Sequence, residues 1–223
     1  MNSIVAQLMQ SFWDIFRSFI LYQQMVFRLV CRGGLPTDFA GVMAVKGLMR
    51  RNEVFCLYNL AREANSLGVI VEIGSYQGLS TIALAKGSLK GHSIPVYAVD
   101  PHDYADPEGG ITFCSRDNVA FLKNILFANV ADIIRPINLK SWQVAIGWEQ
   151  PIGLLWIDGN HEYEAVRKDF DVWEKFVVPG GHIAFHDSSD SGGGPYRVVQ
   201  EILTEAGFEL IRRVEKVSVL RKI

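Results

Sequence analysis

Short apolar runs that end in polar residues alternate with helical patterns along most of the chain, and this alternation restricts the possible fold most. The apolar runs cover residues 69–74, 95–100, 133–137, 153–158 and 181–187. The helical patterns lie at about 78–89, 115–128, 161–176 and 195–206. Continuous apolar strands that alternate with helices are typical of a parallel sheet with helices on both faces. We therefore expect an α/β fold.

Two further segments flank this alternating region. Residues 37–66 predict one or two helices before the first strand. The last residues, FELIRRVEKVSVLRKI, predict two strands joined by a tight turn near Glu215 and Lys216. Such a hairpin adds one antiparallel strand to an otherwise parallel sheet. A chain of 223 residues with 49% apolar residues is long enough for one packed domain with an appendage.

The first thirty residues form the appendage, and only Asp14, Arg17 and Arg28 are charged among them. The stretch between the two arginines is shorter than the roughly 20 apolar residues of a membrane-spanning helix, and the features of a signal peptide are missing. A helix here could contact its own domain, a partner subunit or a membrane surface. Because the polar face carries few Lys or Arg residues, we favour the domain or subunit contact and expect a homo-oligomer. The segment CRGGLPTD predicts a linker, which divides a helical extension (1–34) from the main domain (35–223).

The composition limits the partners and the compartment. The formal net charge is −2 and no basic block occurs, so we expect no nucleic-acid partner. The three cysteines, Cys31, Cys56 and Cys114, have no metal-ligand spacing. Reduced thiols are the simplest interpretation, and they predict a cytoplasmic protein.

Nearly every apolar run ends in a polar or acidic side chain. These strand-end residues are Glu72, Asp100, Asn138, Lys140, Ser141, Asp158, His161, His186 and Asp187. Sheets of this kind bind ligands at the carboxyl ends of their strands. The pattern therefore predicts a ligand site at one edge of the sheet.

The first turn, in VEIGSYQGLS, has two glycines where a dinucleotide-binding turn has three. Gly74 and Gly78 allow close approach of the backbone to a ligand. A pyrophosphate would favour the third glycine and would lie unfavourably beside Glu72, so a ligand with an ammonium group and a carboxylate suits the turn better. Asp100 is placed to accept hydrogen bonds from ribose hydroxyls, although an Asp-Pro pair also starts ordinary turns.

These segments resemble a known family. VEIGSYQGLS resembles motif I of the class I S-adenosylmethionine-dependent methyltransferases, and VYAVD resembles their acidic second motif. LLWIDGNHEYEAVRKDFDVWEKFVVPGGHIAFHD is similar to small-molecule and sugar O-methyltransferases related to catechol O-methyltransferase and to macrolide-sugar and cephalosporin-tailoring enzymes. The resemblance covers roughly residues 53–223. It implies a Rossmann-like fold, S-adenosylmethionine as cofactor, and a hydroxyl of a small molecule or sugar as acceptor.

The resemblance also implies roles for individual residues. Its cofactor site comprises Glu72, Gly74, Ser75, Tyr76, Gly78, Ser80, Asp100, Ser141 and Asp158. Within it, Glu72, Gly74 and Tyr76 would line the methionine end and Ser80 would hold the carboxylate. Asp100 would bind the ribose, and Ser141 would lie near the adenine. His161 would be the general base, and the metal ligands would be Asp158, His186 and Asp187.

The expected metal ligands differ from those that magnesium prefers. Magnesium prefers hard oxygen ligands, and His186 offers nitrogen in one of the ligand positions. A softer metal could bind, or His186 could orient Asp187 instead. The loops 101–113 and 188–197 flank the expected site and could close over an acceptor, for which their acidic and tyrosine content favours a polyhydroxylated molecule such as a sugar.

Other functions remain open at this point. An NAD-binding oxidoreductase also pairs a glycine turn with an acidic strand end, but the missing third glycine and Glu72 count against it. A non-haem iron oxygenase could use Asp158, His161 and His186, but that triad usually lies in a β-barrel-like double sheet. A scaffold that binds the cofactor without turnover is a third possibility.

Overall fold

The computed structural model describes residues 2–33, 37–64, 66–103, 114–189 and 192–223. Within these residues, one mixed sheet contains seven strands in the order β3-β2-β1-β4-β5-β7-β6. The strands are β1 (Val69–Ile73), β2 (Val96–Val99), β3 (Ile134–Ile137), β4 (Ile152–Ile157), β5 (Val177–Phe185), β6 (Phe208–Val214) and β7 (Val217–Lys222). All five strands predicted from the apolar runs and the C-terminal hairpin are therefore present.

The first five strands are mutually parallel, and the C-terminal hairpin closes one side of the sheet. Strand β7 pairs antiparallel with β5, and β6 pairs antiparallel with β7. Of the described strands, β7 alone thus runs against the others, which confirms the single antiparallel strand. Because β1 lies between β2 and β4, the carboxyl ends of these three strands meet at one edge.

Helices cover both faces of the sheet. They are α1 (Asn2–Gly33), α2 (Thr37–Val42), α3 (Arg51–Glu63), α4 (Leu79–Lys90), α5 (Ser115–Phe127), α6 (Ser141–Ile146), α7 (Tyr163–Trp173) and α8 (Gly194–Thr204). On one face, Leu57 of α3, Ile82 of α4 and Phe121 of α5 belong to one buried apolar cluster. On the other face, Phe170 of α7 and Val198 of α8 belong to a second. Burying side chains of this size stabilises the fold by about 1.5–3 kcal/mol each.

Two predicted boundaries were wrong. Helix α1 continues through Gly33, beyond the predicted start of the linker at Cys31, because one glycine in a last helical turn costs only about 1 kcal/mol. Strand β5 begins at Val177 rather than 181, and its register against β4 shifts between Val177 and His182. The Pro-Gly-Gly segment inside it accommodates this bulge, since Gly180 has a φ of 78°.

The second half of α1 is attached to the main domain. The Tyr22 hydroxyl donates a hydrogen bond of 2.9 Å to the Gly41 carbonyl. The Lys123 ammonium donates one of 2.7 Å to the Ser18 hydroxyl, and the Phe19 ring meets the Phe127 ring edge-on at 5.5 Å. Among the described helices, α1 included, none combines the length and apolar character that crossing a bilayer requires.

Candidate active site

The turn after β1 brings the ends of β1 and β4 together. Gly74 has a φ of 86°, and a side chain there would overlap the carbonyl group of Asp158. Gly78 has a φ of 91° and precedes the first turn of α4. Tyr76, between them, is also left-handed, with a φ of 46°. The conformation of the turn therefore requires both glycines, in addition to any role in the approach of a ligand.

Asp100, which follows β2, fixes this turn in place. One oxygen of its carboxylate accepts hydrogen bonds from the backbone N–H groups of Ser75 and Tyr76, at 2.9 and 2.8 Å. The other accepts one from the N–H of His102, at 2.8 Å. A carboxylate with two oxygens can accept further bonds, so Asp100 can organise the turn and still bind a ribose. The sequence did not predict the structural part of this role.

A cavity of about 1060 Å³ opens at this edge of the sheet. The lining of this cavity includes most of the predicted cofactor residues: Gly74, Ser75, Tyr76, Ser80, Asp100, Ser141 and Asp158. His161, His186 and Asp187 line it as well. The structure thus brings the predicted base and metal ligands into the same cavity as most of the predicted cofactor residues.

Glu72 and Gly78 are not among the lining residues, in contrast to the prediction. Glu72 is fully buried behind the turn, where its carboxyl accepts a hydrogen bond from the Thr81 hydroxyl. Burial raises the pKa of Glu72 to about 8, although hydrogen bonds from Ser80 and Thr81 oppose the shift. Glu72 would therefore influence a ligand indirectly, by orienting Ser80, which lines the cavity. Gly78 serves the backbone, because a Cβ there would lie 3.1 Å from the Phe121 ring.

Asp169 of α7 was not predicted, and it lies beside Ser141 in the cavity wall. The Ser141 hydroxyl donates a hydrogen bond to the Asp169 carboxylate. Burial raises the pKa of Asp169 to about 6, against the opposing effects of Ser141 and Lys168. The Lys168 ammonium lies 4.4 Å from the centre of the Trp142 ring. This end of the cavity combines a flat ring and a carboxylate with the predicted adenine residue Ser141.

His186 occupies the centre of the acidic cluster at the other end. Its Nδ1 lies 3.0 Å from Asp158 Oδ1 and 3.2 Å from Asp187 Oδ2. Its Nε2 lies 3.5 Å from Glu53 Oε2. Burial alone would lower the pKa of His186, but Asp158 and Asp187 outweigh it and raise the pKa to about 11. The hydrogen bond from His186 in turn holds the pKa of Asp187 below its usual range.

His161 lies at the mouth of the same cluster. Its Nε2 is 3.4 Å from Asp158 Oδ1, and its Nδ1 is 3.4 Å from Asp187 Oδ2. Its side chain is 47% exposed, whereas that of His186 is 6% exposed. The hydrogen bond with Asp158 raises the pKa of His161, although burial opposes this effect. His161 can therefore exchange protons with both a ligand in the cavity and the solvent.

The nitrogen and oxygen atoms of this cluster could bind a divalent cation, and they favour ions other than magnesium. One donor atom each of Asp158, His161 and His186 lies within 4.8 Å of the others, and Asp187 Oδ2 adjoins both rings. Two carboxylates with the imidazole of His186 suit ions such as Mn²⁺ or Zn²⁺ better than Mg²⁺, which prefers oxygen. Binding through His186 would displace the proton that the ring shares with Asp158.

Two further residues of the cluster come from distant parts of the chain and escaped prediction. Glu53 of α3 is 1% exposed. It accepts hydrogen bonds from the backbone N–H groups of Arg50, at 2.6 Å, and Lys216, at 3.1 Å. The Lys216 ammonium lies 2.6 Å from Asp187 Oδ1. The predicted hairpin turn at Lys216 gave a hint of this residue, but nothing in the α3 sequence indicated Glu53.

The fold and the site define a class of protein. Residues 71–188, more than half of the chain, match the family described as a methyltransferase domain. The chain therefore belongs to that family. Its seven-stranded sheet is the Rossmann-like sheet of the class I enzymes. Neither the NAD-binding oxidoreductase nor the iron oxygenase finds support in these matches.

Individual proteins are similar to this chain in sequence or in fold. An uncharacterised protein of Acanthamoeba polyphaga mimivirus is 30% identical over 127 residues, which are 56% of this chain and 53% of that protein. The chain thus spans about half the length of this relative. An O-methyltransferase from Bacillus cereus, solved with S-adenosylhomocysteine, superimposes with a TM-score of 0.60 at 18% identity, over 90% of each chain. A TDP-rhamnose 3'-O-methyltransferase of calicheamicin biosynthesis gives 0.56 at 17% identity, over 90% of this chain and 92% of that one. These structures show the common fold.

Proposed function

We propose that this protein transfers the methyl group of S-adenosylmethionine to a hydroxyl oxygen of a small molecule or a sugar. The observation that carries the proposal is the single cavity. It joins the Asp100 and Ser141 end, suited to an adenosyl group, to the cluster of Asp158, His161, His186 and Asp187. The family match supports methyl transfer, and the two O-methyltransferases named above share the fold.

The cofactor would lie along the ends of β1, β2 and β4. Asp100 would accept hydrogen bonds from the ribose hydroxyls, and Ser141 with Asp169 would lie at the adenine. The turn from Gly74 to Tyr76 would leave room for the methionine end, with Ser80 near its carboxylate. This arrangement would direct the sulfonium-bound methyl towards the histidine cluster.

The transfer itself is a displacement at the methyl carbon. The acceptor oxygen forms a bond to that carbon while the carbon–sulfur bond breaks, which leaves S-adenosylhomocysteine and a methyl ether. His161 would take the hydroxyl proton, because its neutral ring can accept one at the mouth of the cluster. Asp158 and Asp187 would stabilise the resulting imidazolium. Asp158, His186 and Asp187 would also hold a divalent cation. Such a cation would lower the pKa of an acceptor hydroxyl that coordinates it.

Calorimetric titration tests the cofactor part. We expect micromolar binding of S-adenosylmethionine and S-adenosylhomocysteine, and none of NAD. Asp100→Ala should lose this binding, and Asp100→Asn, which keeps one acceptor oxygen, should weaken it less. Asp132→Ala, a change at an exposed aspartate outside the cavity, is the matched control. Absence of adenosyl binding in the folded wild-type protein would refute the proposal.

The oxygen acceptor needs a separate test. Transfer of labelled methyl from S-adenosylmethionine is followed over a panel of sugars, phenols, amines and RNA, with Mn²⁺, Mg²⁺ or chelator. We expect label on hydroxyl acceptors alone, with more turnover in Mn²⁺ than in chelator. Label that appears on nitrogen or on RNA instead would exclude an O-methyltransferase of small molecules.

A further inference from the structure

Helix α1 exposes a long apolar stripe. Its side chains recur three or four positions apart and are each 39–61% exposed: Met9, Phe12, Trp13, Phe16 and Ile20. The rings of Phe12, Trp13 and Phe16 contact one another, with centroids 5.8–6.4 Å apart. This spacing places them on one side of the helix. That side is not the one through which Ser18 and Tyr22 contact the main domain.

Helix α5, the neighbour of α1, exposes a second stripe. Val119, Leu122 and Leu126 are 42–66% exposed. They lie on a different side of α5 from Phe121 and Ile125, which are buried in the core. Each stripe alone could be an ordinary surface feature, but the two lie on touching helices.

The contacts between α1 and α5 show how the stripes are related. Ser18 lies opposite Lys123, and Tyr22, four residues later, lies against Phe127. The helices therefore run in the same direction. Each residue advances a helix by about 100°. With this rotation, the stripe on α1 and the stripe on α5 fall on the same side of the line along which the two helices meet. Together they form one surface, the apolar face, which consists of Met9, Phe12, Trp13, Phe16, Ile20, Val119, Leu122 and Leu126.

The area of this face exceeds what a monomer usually exposes. Eight large side chains that are about half exposed leave on the order of 700 Å² of apolar surface, since a full aromatic side chain covers 150–250 Å². The largest apolar patch of a typical monomer is about 300–600 Å². A standard protein interface covers about 800 Å² on each partner. The apolar face is thus close to one half of an ordinary interface.

The charges around the face favour a protein over a lipid surface. Helices that lie on membranes carry Lys and Arg along their polar side. The first thirty residues contain two arginines and one aspartate, and the whole chain has a net charge of −2. The Lys123 ammonium, beside the face, already bonds Ser18 and lies 5.8 Å from the Phe127 ring. An anionic bilayer would find little attraction here.

We propose that the apolar face binds the same face of a second copy of this chain, related by a two-fold axis. A two-fold axis brings the same patch of both copies together, so the apolar surface of one copy meets the apolar surface of the other. Aromatic side chains are the usual anchors of such interfaces. The pairing would bury the exposed rings of Phe12, Trp13 and Phe16.

Sedimentation velocity over a range of protein concentrations tests the pairing. The wild-type chain should be a dimer at micromolar concentration. Phe16→Glu and Leu122→Glu, singly and together, should shift it to a monomer, because each places two charges in the apolar interface. Ile146→Glu is the matched control, since Ile146 is 81% exposed on α6, away from the face. Circular dichroism and thermal unfolding show that each variant remains folded.

Two results would overturn the proposal. One is a wild-type chain that stays monomeric throughout the concentration range. The other is a dimer that survives both face substitutions. Flotation with vesicles of phosphatidylcholine and phosphatidylserine is run in parallel, and recovery of monomeric protein with the vesicles would assign the face to lipid instead. None of these results depends on whether the cavity binds S-adenosylmethionine, so this proposal and the proposed function can fail separately.

Discussion

His161 and His186 share the same two carboxylates, but they are suited to different tasks. His186 is buried, and both of its ring nitrogens face carboxylate oxygens, from Asp158 and Asp187 on one side and Glu53 on the other. His161 faces Asp158 and Asp187 as well, yet half of its side chain is open. A general base must reach its substrate and later release the proton. At the scale of single residues, we therefore propose the exposed ring as the base, while the buried ring pairs with the carboxylates as a cation when no metal ion is bound.

This assignment predicts the effect of His161→Gln. The substitution should lower kcat by roughly 10²–10⁴-fold, the usual contribution of a general base, and leave the affinity for S-adenosylmethionine unchanged. His92→Gln, at an exposed histidine after α4, should alter neither quantity. Steady-state kinetics and calorimetry on both variants check this. If His161→Gln turns over at the wild-type rate, His161 is not the base.

The pH dependence provides a second readout for the same residue. The hydrogen bond with Asp158 raises the pKa of His161, and only the neutral ring can accept the proton. The value of kcat/KM should therefore rise with pH, with its midpoint above the ordinary pKa of histidine. The rise should disappear in His161→Gln. A profile that falls over this range would mean that the protonated form is the active one.

At the scale of elements, the β1–α4 turn depends on one glycine. Gly74 has a φ of 86°, and a Cβ would overlap the carbonyl of Asp158. Alanine costs about 1–2 kcal/mol in the left-handed region. The clash with the backbone of Asp158, which follows the neighbouring strand β4, adds to this cost. Gly74→Ala should therefore lower the free energy of unfolding by about 3 kcal/mol or more, and it should weaken cofactor binding. Gly147→Ala is the control, because a Cβ there meets nothing within 4 Å.

Urea unfolding measures both variants. Gly147→Ala should change the free energy of unfolding by less than about 1 kcal/mol. Equal stability of Gly74→Ala and wild type would show that the turn relaxes, and that the close approach of Gly74 to the Asp158 carbonyl does not require glycine.

The elements themselves were largely predictable from sequence. Strand β4 has no exposed residue, and a continuous apolar run such as Ile152–Ile157 indicates a strand buried on both faces. The end of α1 was harder to predict, because glycines indicate where a helix tends to end but not which residue makes its last hydrogen bond. The bulge in β5 depends on pairing with β4, and pairing between distant segments leaves no local trace.

At the scale of the whole molecule, the site combines local and distant contributions. The strand-end residues were predictable because parallel strands place all their carboxyl ends at one edge. Glu72 lies outside the cavity lining because its side chain points into the sheet–helix interface, where it meets Thr81 of α4. Glu53 and Asp169 were missed because helices, not strand ends, carry them: α3 brings Glu53 to the histidine cluster, and α7 brings Asp169 to Ser141. No spacing in the sequence encodes a contact between residues 133 or 163 positions apart.

Glu53 therefore allows a prediction about the integrity of the whole fold. Its carboxylate joins the start of α3 to the end of β5 and to the β6–β7 turn, through Arg50, His186 and Lys216. Glu53→Ala would leave two backbone donors and a charged ring without their acceptor in a buried place. Removing one member of a buried charged network costs about 3–5 kcal/mol, so urea should unfold this variant at a clearly lower concentration. Glu63→Ala, on the same helix but with a side chain that is 54% exposed, should stay within about 0.5 kcal/mol of wild type. If Glu53→Ala is as stable as Glu63→Ala, the Glu53 network contributes nothing to the fold, and the hairpin turn must be held by its strand pairing alone.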